Sequence, residues 1–490
     1  MTLEAVRTGR TRGRIQLRAD DPSLTDAGGM LAITELCGKL GLIEAMDEAM
    51  GPVKQRQRGF SGGQVLAGMA AAQLSGEDFL VGLDRVRGDQ AGQLVMPVPG
   101  LAASTAAGIA RRFTAEHWLG AEAGLATATA RMLDLLPAER AAELVAGSVT
   151  IDIYDADVEV YGSKTRGAAG DDQDQRTCRP QVASWAETEI PLAAELTDAD
   201  QDSCSSGALL LGRALAALPR AVRDGAQKAG RKIALRADAG YLASELASAA
   251  AAENMMFAVG AKRISSLRRA LAGIREDAWR DAIDLPNAQV AVSRCRSADW
   301  PADTVLLIRR VRLDPDQVSA DLRWRRRTTH IDRRAVLFQE LGAEPAIYAY
   351  SFICTNIDCA TPAKAATAEL WYRHRSSAEN IFRGTSHDAA SARLPSKHWE
   401  INAAWMWGWL IAAAIAAWLH QLTGLIDGGE MRDGQPARGG KAVIATLRRV
   451  LIAVPARLVR HGGQLIMRLA PGPCLLSGVL ATIRALPAPG

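Results

Sequence analysis

Apolar residues recur at helical spacing from Met30 to about Leu136, in runs such as LAITELCGKLGLIEAMDEAM and SGGQVLAGMAAAQLSG. A 3.6-residue period of this kind predicts amphipathic helices. Ser61 follows a Gly/Ser break and suits the N-cap of the next one. The segment STAAGIARRF (104–113) predicts a short helix ending on Arg111 and Arg112. At Ser148 the pattern changes. VTIDI, DVEVYG, RPQVASWAE and EIPLAAEL are short β-prone runs with turns between them, which predict an antiparallel meander. A helix over Gly207–Leu218, the strand KIALRAD, a helix over Leu242–Ala252 and the strand MFAVGA follow. Strands first, then strand and helix in alternation, predict an α/β core with a mixed sheet.

Residues 264–346 interrupt the alternation with AQVAVSRC, TVLLIRRVRL and the basic run LRWRRRTTHIDRR. The core resumes with IYAYSFICTN and helices from Pro362 to about Leu422. A Gly-rich linker covers 424–440, and PARLVRHGGQLIMRL reads as two strands around a His461-Gly462-Gly463 turn. The expected organisation is a basic arm (1–25), a helical N-terminal domain (26–147) and a first core segment (148–263). A β-rich basic insertion (264–346), a second core segment (347–423) and a linker with a basic C-terminal region (424–490) complete it.

Length and composition narrow the picture. The 490 residues exceed what one ordinary core holds, so several domains are expected. Net charge is only +4, but arginines crowd the first eighteen residues, 323–334 and 448–468. Guanidinium forks match phosphate oxygens, so these stripes point to nucleic acid more strongly than the total does. Seven cysteines include no CxxC pair, and seven histidines form no HExxH, so neither a disulfide framework nor a zinc site is expected. The N-terminus has no apolar signal core, and a cytoplasmic, nucleoid-associated protein is expected. Ala403–Leu419 carries no charge, but it is alanine-rich and isolated, and reads as a buried core helix rather than a membrane span.

The carboxylates carry the candidate chemistry. Two-metal phosphodiester cleavage needs several acids around a pair of Mg²⁺ ions roughly 3.5–4 Å apart. Asp238, in LRADAGY, closes an apolar strand before a turn and a helix, where open α/β sheets place their sites. Glu379 lies in WYRHRSSAENIFRGTS; on a helix Tyr372, Arg375, Glu379, Arg383 and Ser386 share one face. Such a face can hold metal with its acid, and Tyr372, Arg375 and Arg383 are the expected DNA contacts on it. Arg323, Trp324, Arg325, Arg326 and Arg327 interleave a ring with guanidinium groups, a composition suited to phosphate contact and base stacking.

The Tyr372–Arg375–Glu379 spacing resembles the Tyr-x2-Arg-x3-Glu-x6-Lys signature of insertion-sequence DDE transposases. RADAGY looks like that family's second-Asp motif, VTIDI…DVEVYG like its first-Asp strand, and the β-prone stretch before Glu379 is similar to its β insertion. The resemblance implies a ribonuclease-H-like mixed sheet flanked by helices. It also implies two Mg²⁺ ions (Mn²⁺ able to substitute) held by three carboxylates. Cleavage and strand transfer at terminal inverted repeats, double-stranded DNA at element ends and target, and a homodimer on DNA follow from the same likeness. The chain departs from the signature twice. Ser386 stands where the family has lysine, with Arg383 one turn nearer Glu379. Tyr154 aligns with the first Asp. Strand alternation puts Asp152 on the face of Tyr154, about 6.6 Å back along the strand, and Asp155 and Asp157 on the opposite face unless the strand bulges. Asp152 is therefore taken as the first ligand. A second reading is a DNA-binding derivative that has lost its chemistry.

Overall fold

The computed structural model describes residues 18–55, 58–160, 176–199, 201, 203–261, 265–294, 299–313, 347–374, 393–424, 444–472 and 474–487, with short strands at 6–7, 14–15, 169–170 and 329–330. The first part is helical, as the periodicity predicts: α1 (Met30–Leu40), α2 (Leu42–Met50), α3 (Gly62–Leu74), α4 (Gly82–Gly88), α5 (Ala103–Ala110), α6 (Ala115–Leu135) and α7 (Ala138–Ala146). Ser61 caps α3 in a reciprocal box: its hydroxyl accepts from the Gln64 N–H, and the Gln64 side chain accepts from the Ser61 N–H. Helices α2 and α6 cross almost backbone to backbone. A Cβ on Gly120 would lie 2.5 Å from the Cα of Met50, and one on Gly124 2.5 Å from the Cα of Met46.

The central sheet begins with the meander β1 (Thr150–Asp155), β2 (Val158–Val160), β3 (Arg176–Trp185) and β4 (Ile190–Asp198). Helices α8 (Gly207–Ala217) and α9 (Arg220–Lys228) lead to β5 (Ala234–Ala237); α10 (Ser244–Ala252) leads to β6 (Met256–Ala261). Then come α11 (Ser265–Ala272), β7 (Arg280–Asp281), β8 (Ala288–Arg294), β9 (Val305–Leu313) and β10 (Ile347–Thr355). The main spatial order is β4-β3-β1-β5-β6-β10-β9-β8-β7, with β2 paired to the far end of β3. β5 and β6 run parallel to β1, and every other neighbour in this row is antiparallel. The described strands of the 264–346 segment are therefore continuous with the core sheet, which they extend beyond β10. Alternation along β9 explains how both faces are covered. Leu306 and Ile308 pack with Leu267 of α11, while Leu307 packs with Ala365 and Ala368 of α12 (Pro362–Arg373) on the other side.

Helix α13 (Trp399–Thr423) is long and apolar enough to cross a membrane, and its apolar window is wholly buried in the fold. It packs against α1, α3, α5 and α6 on one hand and β4 on the other. A helix apolar all round needs such an all-round coat. Gly408 admits α3: a Cβ there would lie 2.8 Å from that of Met69. Near the C-terminus β11 (Ala456–His461) and β12 (Gln464–Leu469) form the expected hairpin, with Gly462 and Gly463 at φ of 58° and 79°. Two consecutive positive φ values fit the two-residue turn that matches strand twist. α14 (Leu475–Ala485) then packs on α1. The basic run at 323–327 and the linker at 425–440 lie outside the described residues.

The α2–α6 crossing makes a stability prediction. Alanine at Gly124 favours a helix intrinsically, but its methyl meets backbone that cannot rotate away. Gly124→Ala should cost about 1–3 kcal/mol, read as a lower urea midpoint; an unchanged midpoint would show that the two helices part freely.

Candidate active site at the carboxyl ends of the central strands

β1 and β5 are adjacent and parallel, in the register Thr150↔Ala234, Ile151↔Leu235, Asp152↔Arg236 and Ile153↔Ala237. Asp152, the first ligand expected from strand alternation, is fully buried. Its Oδ1 accepts from Arg236 Nε at 2.6 Å and its Oδ2 from Arg236 Nη2 at 2.8 Å. Both oxygens thus face one guanidinium in a forked pair, which is poor geometry for gathering metal and DNA. Arg236 also donates through Nη1 to the Trp371 carbonyl at 2.8 Å, with its guanidinium 5.1 Å from the centre of the Trp371 ring. Tyr154, which aligns with the family's first Asp, is buried too. Burial, reinforced by the charge of Asp152, holds its phenol far above the ordinary range, so it stays protonated in the metal-free protein.

The acids that meet are Asp155 and Asp238. Asp238 follows the last residue of β5 and caps the short turn Ala239–Tyr241, its Oδ1 accepting from the Ala239 N–H at 2.6 Å. Asp155 closes β1 and accepts from the Ser203 hydroxyl; Arg179 Nε lies 3.7 Å from its Oδ2 and donates to Asp157 Oδ1 at 3.0 Å. The Asp238 turn packs onto Asp155 at Gly240, where a Cβ would sit 3.3 Å from each Asp155 carboxylate oxygen. Burial raises the Asp155 carboxyl above the usual range. Ser203 and Arg179 oppose that shift, while the negative charges of Asp238 and Asp157 add to it. Two hard-oxygen donors that repel one another form an arrangement a divalent cation relieves. Among the described residues no group of three or more His, Cys, Asp or Glu side chains forms a metal site. Glu379 lies outside the described residues.

Helix α12 brings Tyr372 to the same strand ends. Its hydroxyl donates to the Ala237 carbonyl at 3.1 Å, one residue before Asp238. Gly260 of β6 makes room, because a Cβ there would lie 2.5 Å from the Tyr372 oxygen and 2.9 Å from the Ala239 nitrogen. The described helix ends at Arg373. Arg375, Arg383 and Ser386 lie outside the described residues, as do Arg323, Trp324, Arg325, Arg326 and Arg327. Of the sequence-level candidates, the structure therefore gathers Tyr372 and Asp238 at one edge and sets Asp152 behind them in the core.

The register of β1 against β3 is unbroken through Asp155, so Asp155 lies on the face opposite Asp152 and Tyr154, as strand alternation predicts. Parity along β1 was measured from Tyr154, whereas Asp238 sits past the end of β5, where the chain has turned and strand alternation no longer governs it. The usable signal was positional: Asp155 ends β1 as Asp238 ends β5. Arg236, the partner of Asp152, carried no signal beyond being a charge inside an apolar strand.

Two outcomes are expected for the metal-free protein. Asp152→Asn leaves the Arg236 charge without its buried counterion and should cost about 3–5 kcal/mol in denaturant unfolding; a loss near zero would mean that water reaches the pair. For Asp155 the folded-state affinity for a proton exceeds that of the unfolded chain. Its ionised form therefore opposes folding near neutral pH, and that penalty disappears as pH falls below the unfolded carboxyl range. Asp155→Asn should raise the thermal midpoint at neutral pH, by a margin that shrinks on acidification; a margin that grows in acid would contradict the assignment.

The sequence matches the family model described as Transposase DDE domain group 1 over residues 8–487. A comparison with curated protein sequences gives no match. Among solved structures, a piggyBac transposase synaptic complex with hairpin DNA, determined by cryo-electron microscopy, is similar at 9% identity. The likeness covers 87% of this chain and 80% of that one with a TM-score of 0.38, too loose to carry an argument. The family match spans nearly the whole chain, both carboxylate-bearing strands included, and this protein belongs to the DDE transposase domain family, group 1.

Proposed function

We propose that this protein binds the terminal inverted repeats of an insertion sequence and catalyses metal-dependent DNA cleavage and strand transfer, with Asp155, Asp238 and Glu379 as its carboxylates. The observation that carries this reading is the meeting of Asp155 and Asp238 at the carboxyl ends of two adjacent parallel strands. Asp155 replaces Asp152 in the triad, because Asp152 is committed to Arg236. Tyr154 then leaves no gap in the carboxylate set, which favours a competent enzyme over a DNA-binding derivative. Three antiparallel strands followed by two that run parallel to the first, at the centre of the sheet, support a ribonuclease-H-like core.

Bound Mg²⁺, as two ions for which Mn²⁺ can substitute, would supply an activated attacking oxygen and neutralise charge on the phosphate. The protein's part is to aim its donors. Ser203 and Arg179 orient Asp155, the Ala239 N–H fixes Asp238, and α12 directs the chain toward Glu379. Arg375, Arg383 and the Arg323–Arg327 run with Trp324 are the proposed contacts to duplex DNA at element ends and target. A homodimer on DNA follows from the need to join two ends, and the nucleoid is the proposed location.

The test uses purified full-length protein and duplex DNA carrying an element end. Addition of Mg²⁺ or Mn²⁺ should yield a nick at the end, and Asp155→Asn and Asp238→Asn should each bring nicking to background while the gel shift persists. Wild-type nicking by the Asp155→Asn protein would remove Asp155 from the triad. Lack of nicking by the unmodified chain on its own ends would favour the DNA-binding derivative.

A further inference from the structure

The last turn of α12 is tied to β5 at two successive residues. Trp371 accepts from Arg236 through its carbonyl, and Tyr372 donates through its hydroxyl to the Ala237 carbonyl. Arg236 is itself oriented by the fork to Asp152, and its guanidinium lies against the Trp371 ring. A cation at a helix C-terminus, aimed at a carbonyl of the last turn, meets the negative end of the helix dipole. Buried ion pairs contribute little net stability compared with apolar groups of the same volume. What this one supplies is direction: Asp152 fixes the fork, and the remaining arm of Arg236 reaches the helix. Gly260 completes the arrangement by leaving space for the Tyr372 hydroxyl.

We infer that Arg236, held by Asp152, and Tyr372 form a latch that sets the register of α12 on β5, and that Tyr372 is a positioning residue rather than a DNA contact. This rests on the proposed carboxylate reading for its consequence, because the latch joins Ala237, one residue before Asp238, to Tyr372, seven residues before Glu379 in sequence. A one-turn slip of α12 would move the end of the described helix, from which the chain runs on to Glu379, by the helical pitch of about 5.4 Å. The latch thus acts on metal affinity through the third carboxylate and leaves DNA affinity alone.

The test compares Tyr372→Phe with the double variant Asp152→Leu/Arg236→Met, which replaces the ion pair by apolar groups and should fold. Three quantities are read: amide exchange over 362–373, binding of element-end DNA without metal, and the Mg²⁺ concentration that gives half-maximal nicking. Both variants should exchange roughly fivefold faster at the end of α12, as expected for loss of one hydrogen bond. DNA binding should be unchanged, and the Mg²⁺ requirement should rise on the order of tenfold, as for outer-shell partners of a metal site. Unchanged exchange, weakened DNA binding in Tyr372→Phe, or an unchanged Mg²⁺ requirement despite faster exchange would each overturn the latch. Asp238→Asn serves as the control. If it nicks normally the carboxylate reading fails, and the exchange measurement alone then decides the latch.

Discussion

The structure depends on one pairing: β1 against β5, parallel and in a single register, with Asp152 opposite Arg236. A parallel ladder of short apolar strands specifies its register only weakly through hydrogen bonds, since they are evenly spaced. The buried fork removes the ambiguity. Sliding either strand by one residue would turn the carboxylate and the guanidinium to opposite faces, each without its counterion in a medium that punishes isolated charge. Four residues of β5 thus hold a fixed level against β1, and the acids at the two strand ends, Asp155 and Asp238, come within reach of one another's charge.

What lies at those ends differs from what lies between them. Within the strands, charge is matched and enclosed. At their ends, Asp155 and Asp238 interact with like sign, tempered by Ser203 and Arg179. Local electrostatic tension of this kind is characteristic of sites whose groups are placed for a ligand rather than for the fold. The family assignment and this geometry are independent observations. One comes from the whole sequence, the other from the local backbone around two strand ends.

Much of the scaffold could be read from residue pattern alone. The change of period at Ser148, the helix cap at Ser61 and the paired glycines at 462 and 463 each have a local cause, and each appears where that cause puts it. Two things were illegible for a physical reason. Periodicity marks AQVAVSRC and TVLLIRRVRL as strands but says nothing of their neighbours, so their addition to the core sheet beyond β10 could not be foreseen. Alternation likewise fixes side-chain direction inside a strand, as at Asp155, but does not govern Asp238, which follows the last residue of β5. The position of Asp238 at a strand end was legible in the sequence; the pairing of Asp152 with Arg236 was not, because pattern does not show which strands are neighbours.

Helix α13 has a consequence of a different order. Its tryptophans and alanines are enclosed on one side by the N-terminal helices and on another by β4, within one continuous apolar cluster. The N-terminal helices are therefore not a module that can be exchanged independently of α13. A graft from a diverged relative would bring mismatched knobs to a tryptophan-lined seat, and Gly408 tolerates no added methyl there without displacing α3. A change of volume on either side of that seat calls for a matching change on the other.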